Sequence, residues 1–244
     1  MPASERPVVG RNHWSQEMPG SLFQAYPDRD ACVRGLAGDL HACLQRALAA
    51  DGRARMLMPG GSSPQALFPL LAAQALDWGR VDTTPGDERW VDREDERSNF
   101  RLLREGLPQA CCLDPRLADT AEESARLWGE RMREWLPFSV VLLGVGGDGH
   151  FASLFPGMPG LDQALDLQAA PDALVGHAPD EPRLRISANL AMLLDSDWVG
   201  LLVFGEDKKR LIYAALAHQQ ASLSQPIHAL LHNGIRPVHI HWAP

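Results

Sequence analysis

Residues 140–156 read VVLLGVGGDGHFASLFP, and this stretch decides how the chain folds around its most reactive side chains. It opens with four aliphatic residues, Val140 to Leu143, which are typical of a short strand covered on both faces. Glycine then fills four of the six positions 144–149, so the backbone can turn sharply and point its N–H groups into a cleft. The stretch therefore predicts a buried strand whose carboxyl end presents Asp148 and His150.

His150 is the first candidate catalytic residue. Histidine titrates near neutral pH, which suits it to act as a general base, and Asp148 is placed to orient the ring or to stabilise its protonated form. The spacing alone leaves open whether Asp148 faces His150 or instead caps the turn through backbone N–H groups. A lone histidine is more often a buried structural residue, but the glycine-rich end of a strand favours catalysis here.

Composition indicates a globular protein with one main core. The chain has 244 residues, 45% of them hydrophobic, and we expect a single α/β domain over residues 1–244. A net charge of −8 argues against a nucleic-acid-binding surface and against binding to anionic membrane lipids. An anionic ligand would therefore need a local pocket of positive charge.

Cysteine usage and hydropathy predict a soluble cytoplasmic protein. The four cysteines form no CxxC pair and no secretory signal precedes them, which favours a reducing compartment. No apolar run approaches the roughly 20 residues of a membrane helix. No pattern that we can interpret encodes the oligomeric state, and a monomer is slightly favoured.

Periodicity predicts strands that alternate with helices. Helices are expected over residues 30–50, 64–76, 119–136 and 206–218, with a further start at Ser98-Asn99, and strands over residues 55–58, 140–143, 184–187, 198–204 and 238–242. Residues 156–182 are interpreted as a Pro/Asp-rich connection. The alternation is typical of a mostly parallel sheet with helices on both faces, in which ligands bind at the carboxyl ends of strands.

Two segments are candidates for phosphate binding. Gly60, Gly61 and Ser62 form a turn before a predicted helix, where free N–H groups and the positive helix end suit an anion. Such turns are common, so this signal is weak alone. Lys208 lies in the first turn of another predicted helix, where a cation is unfavourable unless it meets a bound anion.

Other charged residues allow more than one interpretation. Asp87 and Arg89 belong to a charge triplet that fits either a solvated edge or a cleft. Arg183 and Arg185 alternate on a predicted strand, so one of them could clamp a phosphate, but the pattern does not say which. The histidines at positions 228, 232, 239 and 241 suggest a metal site only weakly, because no carboxylate or cysteine has ligand spacing among them.

Five blocks together resemble 6-phosphogluconolactonases. They are MPGGSSP at 58–64, GDERWVDREDERSNF at 86–100, LLGVGGDGHFASLFPG at 142–157, RIS at 185–187 and GEDK at 205–208, in the order found in that family. The resemblance implies a Rossmann-like sheet of the glucosamine-6-phosphate deaminase type. It also implies hydrolysis of 6-phosphoglucono-1,5-lactone to 6-phosphogluconate in the oxidative pentose phosphate route, without an organic cofactor or a metal.

The resemblance also implies roles for individual residues. His150 matches the family's general base on water, and Asp148 is its neighbour in the motif. The remaining matches are substrate-binding positions: Gly60, Gly61 and Ser62 in the phosphate loop, the basic residues Arg89, Arg185 and Lys208, and the cleft carboxylate Asp87. Met58-Pro59 and the carboxyl-terminal GIRPVHIHWAP depart from the family pattern, and neither touches the DGH block.

Two other functions remain open at this point. An amino-sugar phosphate deaminase or isomerase would share the fold and use Asp87 as its base, but those relatives carry a glutamate five residues after the histidine, where this chain has Phe155. A non-catalytic sugar-phosphate sensor would need an output module. The chain offers no spare helix-turn-helix segment for one.

Overall fold

A computed structural model describes residues 14–18 and 21–244. The strands, in chain order, are β1 (Trp14–Met18), β2 (Ser21–Ala25), β3 (Ala54–Met58), β4 (Val81–Pro85), β5 (Asp87–Arg89), β6 (Cys111–Cys112), β7 (Val140–Gly144), β8 (Ala173–His177), β9 (Leu184–Ala188), β10 (Val199–Phe204) and β11 (Val238–Ala243). The helices are α1 (Arg29–Asp51), α2 (Leu67–Ala72), α3 (Asn99–Gly106), α4 (Ala121–Arg133), α5 (Leu161–Ala164), α6 (Leu190–Leu194), α7 (Glu206–Leu216) and α8 (Pro226–Leu231).

Two sheets divide these strands. The main sheet has the order β1-β2-β11-β10-β7-β3-β4-β6, and every neighbouring pair in it is parallel except β1 with β2. A small antiparallel sheet has the order β5-β9-β8. The predicted α/β class with a mostly parallel, Rossmann-like sheet is confirmed.

Helices cover both faces of the main sheet, as expected. Alternate residues of β7 point to opposite faces: Val140 and Leu142 join the hydrophobic cluster that contains α1, whereas Val141 and Leu143 join the cluster that contains Trp128 of α4. All four are buried, which explains the unbroken aliphatic run. None of the helices within the described ranges is both long and apolar enough to cross a membrane.

Local signals set several helix ends. The side chain of Asp28 caps α1 by accepting a hydrogen bond from the N–H of Ala31 at 2.7 Å, and Gly52 ends that helix in the left-handed conformation. Ser98 caps α3 through the N–H of Arg101, so the helix predicted to start at Ser98-Asn99 is present.

The predicted helix over residues 64–76 is shorter and less regular than expected. A 3₁₀ turn covers Ser63–Ala66, and α2 then begins at Leu67 and ends at Ala72. Pro64 and Pro69 both lack a backbone N–H. Each lies in the first turn of its helical segment, where a backbone N–H would have no intrahelical acceptor.

Two expectations about residues 156–188 are wrong. The strand predicted at 184–187 exists as β9, but it belongs to the small antiparallel sheet and not to the parallel one. The Pro/Asp-rich connection contains α5 and β8, and β8 pairs with β9. A five-residue strand carries too short a pattern to reveal its partner, and that partner decides the sheet.

Candidate active site

A cleft of about 700 Å³ opens at the carboxyl ends of β10, β7, β3 and β4, which are consecutive neighbours in the main sheet. Parallel strands bring their carboxyl ends to one edge, so the turns that follow these strands meet there. The nine residues that the family resemblance assigns to catalysis or substrate binding all line this cleft: Gly60, Gly61, Ser62, Asp87, Arg89, Asp148, His150, Arg185 and Lys208.

The turn after β7 pairs Asp148 with His150. Oδ1 of Asp148 lies 2.6 Å from Nδ1 of His150 and also accepts the backbone N–H of His150 at 3.1 Å. The sequence left open whether this carboxylate contacts the ring or caps the turn, and it does both. Because an ionised carboxylate only accepts hydrogen bonds, Nδ1 carries the proton and Nε2 keeps the lone pair in the neutral ring.

Gly146 makes this pairing possible. A Cβ at that position would lie 2.2 Å from ring atoms of His150 and 2.7 Å from Oδ1 of Asp148. The N–H of Gly146 donates to the carbonyl of His150 at 2.8 Å, which closes the turn. The glycine is thus required by the close approach of the two side chains.

Phe155 forms one wall behind the imidazole. Its ring centroid lies 4.3 Å from that of His150, at an interplanar angle of 39°. Phe155 is buried and lines the cleft, whereas the side chain of His150 remains 31% exposed and open to a ligand. This position therefore supplies an apolar surface and no proton-transfer group.

The small sheet places two arginines side by side. Arg89 of β5 is directly opposite Arg185 of β9, and both line the cleft. Like charges opposite each other destabilise a strand pair, so this arrangement suits an anion bound between them. Arg183 lies outside the cleft: its side chain is 67% exposed and pairs with Glu181.

Arg185 forms no ion pair with any described residue. It is only 8% exposed, and its Nε is a buried donor with no hydrogen-bond partner among the described residues. Burial, and after it the charge of Arg89, lowers the pKa of Arg185. An anion in the cleft would satisfy both the orphan donor and the charge.

Lys208 supplies the third cation. Its neighbours in α7 are otherwise engaged, because Lys209 pairs with Glu206 at 3.8 Å and Arg210 pairs with Asp207. No carboxylate in the described part of the chain lies within ion-pair distance of Lys208, and burial lowers the pKa of Lys208. Its half-buried ammonium group is therefore available to a ligand.

The turn after β3 packs against Asn99. A Cβ on Gly60 would lie 1.8 Å from Oδ1 of Asn99, so only glycine fits. The amide of Asn99 donates to the backbone carbonyl of Asp87 at 2.8 Å. Asp87, in turn, accepts a short hydrogen bond from the hydroxyl of Ser153.

Sequence reasoning missed Asn99 and Ser153 as cleft residues. Both lie in the quoted family blocks, but Asn99 was interpreted only as a helix start and Ser153 was given no role. Periodicity could not have indicated a role for Ser153, because its N–H donates to the hydroxyl of Ser187 in β9, a partner 34 positions away. The only available signal was their place inside those blocks.

The weakly suggested four-histidine group is split by the fold. His239 stacks on Trp198 with 5.1 Å between ring centroids, and His241 stacks on Tyr26 at 5.8 Å. His228 and His232 lie together elsewhere, near His218.

Comparison with known proteins finds close relatives across most of the chain. The family model for glucosamine-6-phosphate isomerases/6-phosphogluconolactonase matches residues 27–241. A 6-phosphogluconolactonase of Pseudomonas aeruginosa is 37% identical over 87% of this chain and 90% of that protein, and one of Rhizobium meliloti is 34% identical over 90% and 97%.

A solved structure agrees in fold. The crystal structure of a 6-phosphogluconolactonase from Shewanella baltica superposes with a TM-score of 0.84 at 33% identity, over 92% of this chain and 98% of that chain. Together with the family model and the two relatives, this similarity shows that the chain belongs to the glucosamine-6-phosphate isomerase/6-phosphogluconolactonase family.

Proposed function

We propose that the protein hydrolyses 6-phospho-D-glucono-1,5-lactone to 6-phospho-D-gluconate. The observation that carries the proposal is one cleft with two separate chemistries, a carboxylate-paired histidine on one turn and a cluster of cations on other elements. A phosphorylated lactone needs both a base for water and a site for its phosphate. The names of the relatives support the same substrate.

His150 acts as the general base. With Nδ1 protonated and bonded to Asp148, Nε2 takes a proton from water as the water oxygen attacks C1 of the lactone. Asp148 stabilises the imidazolium that forms. The imidazolium then returns the proton to the ring oxygen as the bond between C1 and that oxygen breaks, which leaves the open carboxylic acid.

Backbone donors of the glycine turn stabilise the developing oxyanion. The N–H groups of Gly146 and Gly149 are used within the turn, so those of Gly147 and Asp148 are the ones placed to approach the carbonyl oxygen of the substrate. A lactone is an activated ester, and a positioned water, a base and such donors suffice for hydrolysis without a nucleophilic serine.

The phosphate is held by cations from different elements. Arg89, Arg185 and Lys208 carry the positive charge, and the turn of Gly60, Gly61 and Ser62 adds N–H groups and a hydroxyl. Because the phosphate lies away from C1, its binding energy can position the lactone over His150 and contribute to turnover as well as to affinity.

The direct test compares hydrolysis of freshly generated lactone with its spontaneous rate. Wild-type protein should accelerate the reaction, and His150→Ala should lose about 10² to 10⁴ in kcat. His177→Ala removes an exposed histidine that does not line the cleft, and it serves as the matched control.

Two results would contradict the proposal at different levels. No acceleration by wild type would discard the lactonase activity, and glucosamine 6-phosphate would be the next substrate to assay. Full activity in His150→Ala would keep the lactonase but remove its general base. Binding of 6-phosphogluconate to His150→Ala, measured by calorimetry, separates loss of chemistry from loss of the site.

A further inference from the structure

Three histidines that the hydrolysis does not use meet on one side of the protein. His218 follows α7, His228 lies in α8, and His232 follows α8. Each offers a ring nitrogen that lies within 4.8 Å of those of the other two. Nδ1 of His218 is 3.1 Å from Nε2 of His228, and the rings of His218 and His232 stack at 3.7 Å between centroids.

The backbone brings these side chains together from two segments. His228 and His232 are four residues apart on one helical turn, which places them on the same face. His218 reaches them from a backbone with a φ of +50°, a left-handed conformation that few residues other than glycine adopt. Such a conformation costs free energy, so other contacts must hold the ring in position.

One of the three rings already has the support that metal ligands usually have. Nε2 of His232 lies 2.9 Å from the carbonyl oxygen of Ala215. A carbonyl only accepts, so Nε2 carries the proton and Nδ1 keeps a free lone pair. Histidines that bind metals typically donate their second N–H to such an acceptor, which fixes the ring and its tautomer.

The electrostatic surroundings favour a cation over three protonated rings. Ala215 is in the last turn of α7, whose carbonyl groups form the negative end of the helix dipole. Without an ion, the neutral rings of His218 and His228 share one hydrogen bond at 3.1 Å, and a bound metal would take the place of that proton.

We propose that His218, His228 and His232 bind one divalent transition-metal ion, with Zn²⁺ the best match. A tetrahedral zinc ion with bonds of about 2.0–2.1 Å separates its ligand nitrogens by roughly 3.3–3.4 Å. The 3.1 Å between His218 and His228 is already close to that spacing. The ring of His232, which stacks on His218, must turn so that its Nδ1 points to the same ion. Water would complete the fourth position.

A metal here would join the two helices that border the catalytic cleft. The N–H of Ile227, next to His228, donates to the carbonyl of Gly149 at 2.9 Å, so α8 starts on the turn that carries His150. The other helix, α7, carries Lys208 in its first turn and ends near His218. The ion would therefore act as a clamp on the scaffold, away from the reacting atoms.

The test is zinc binding to protein that carries no polyhistidine tag and has been stripped with a chelator. Titration against a fluorescent competitor should give one saturable site in wild type. His218→Asn and His228→Ala should weaken it by roughly 100-fold or more. Asparagine tolerates the left-handed backbone at position 218, so the first variant is expected to fold normally.

Two controls remove the alternative sites. His177→Ala should bind zinc as wild type does. The His150–Asp148 pair is itself a possible zinc ligand set, so His150→Ala is the second control, and it too should bind zinc as wild type does. A wild type without saturable binding, equal affinity in His218→Asn, or a loss confined to His150→Ala would each overturn the proposal. The melting temperature of wild type should rise with excess Zn²⁺, whereas that of His218→Asn should not.

Discussion

The two sheets serve the same cleft in different ways. The parallel sheet contributes through the ends of its strands, where β7 leads into the turn of Asp148 and His150. The small antiparallel sheet contributes through a cross-strand pair, in which β5 and β9 set Arg89 opposite Arg185. The end of a strand therefore sets the position of the base in the parallel sheet. In the small sheet, the pairing between strands sets the positions of the two arginines.

This difference separates reactivity from recognition. The turn after β7 depends on local geometry, since Asp148, His150 and Gly146 lie within five positions. The arginine pair depends on two segments almost 100 residues apart in the chain. Changes to the turn should therefore act on turnover, whereas changes to the small sheet should act mainly on substrate affinity and, through the position of the lactone, to a smaller extent on turnover.

Gly146→Ala tests the turn. Its Cβ would collide with the imidazole of His150, so we expect kcat to fall towards that of His150→Ala, by about 10² or more. Gly147→Ala is the matched control, because a Cβ there meets no atom within 4 Å and should cost far less. Steady-state kinetics checks both. Equal losses in the two variants would mean that the turn as a whole, and not the ring contact, controls turnover.

Arg185→Ala tests the small sheet. Loss of a buried, charge-assisted contact is worth about 1.5–3 kcal/mol, so KM should rise roughly 10- to 150-fold. The exposed Arg183, two residues earlier, gives the control Arg183→Ala, which should stay within about twofold because exposed ion pairs contribute little. Dissociation constants for 6-phosphogluconate provide a check free of catalysis. An unchanged constant in Arg185→Ala would remove the residue from the phosphate site.

Asp148→Asn separates two roles within the turn. The amide oxygen can still accept the backbone N–H of His150, but the negative charge that stabilises the imidazolium is lost. We expect kcat to fall by about 10-fold, with KM nearly unchanged, since general-base catalysis is worth 10² to 10⁴ in all. Activity and product binding measured together decide the matter. A large change in KM would indicate that the variant disturbs the turn itself.

Ser98→Ala should alter stability without altering turnover. Ser98 caps α3 and donates to the buried carboxylate of Glu88 at 3.0 Å, so its loss should lower the free energy of unfolding by about 1–3 kcal/mol. Thr120→Ala removes a more exposed cap, on α4, and should cost about 0.5–1 kcal/mol. Urea denaturation measures both. Identical costs would show that the bond to Glu88 contributes nothing.

The parts that sequence predicts well are those that local chemistry decides. The aliphatic run of β7, its glycine turn and the capped helices are specified within a few residues, so they are present close to their expected positions. The helix expected over 64–76 departs from its prediction locally as well, because Ser63–Ala66 form a 3₁₀ turn and the α-helix covers only Leu67–Ala72. Cleft residues were found through chemistry-bearing motifs and family resemblance.

The parts that sequence missed depend on distant partners. The pairing of β9 with β5, the hydrogen bond from Ser153 to Asp87 and the approach of Asn99 to Gly60 each join segments 39 or more positions apart. Nothing in a short window encodes such a pairing. The choice between Arg183 and Arg185 was undecided because residues two apart face the same side of a strand, and only the start of β9 at Leu184 leaves Arg183 outside it.

The pairing of Arg89 with Arg185 also constrains how the gene can change. Successive side chains of a strand point to opposite faces, so one codon inserted or deleted within β9 would turn Arg185 away from the cleft. Length changes in the exposed connection between β8 and β9 would leave the pairing intact. Because Pro179 and Asp180 line the cleft, natural selection should tolerate gaps at residues 181–182 and reject them among residues 184–187.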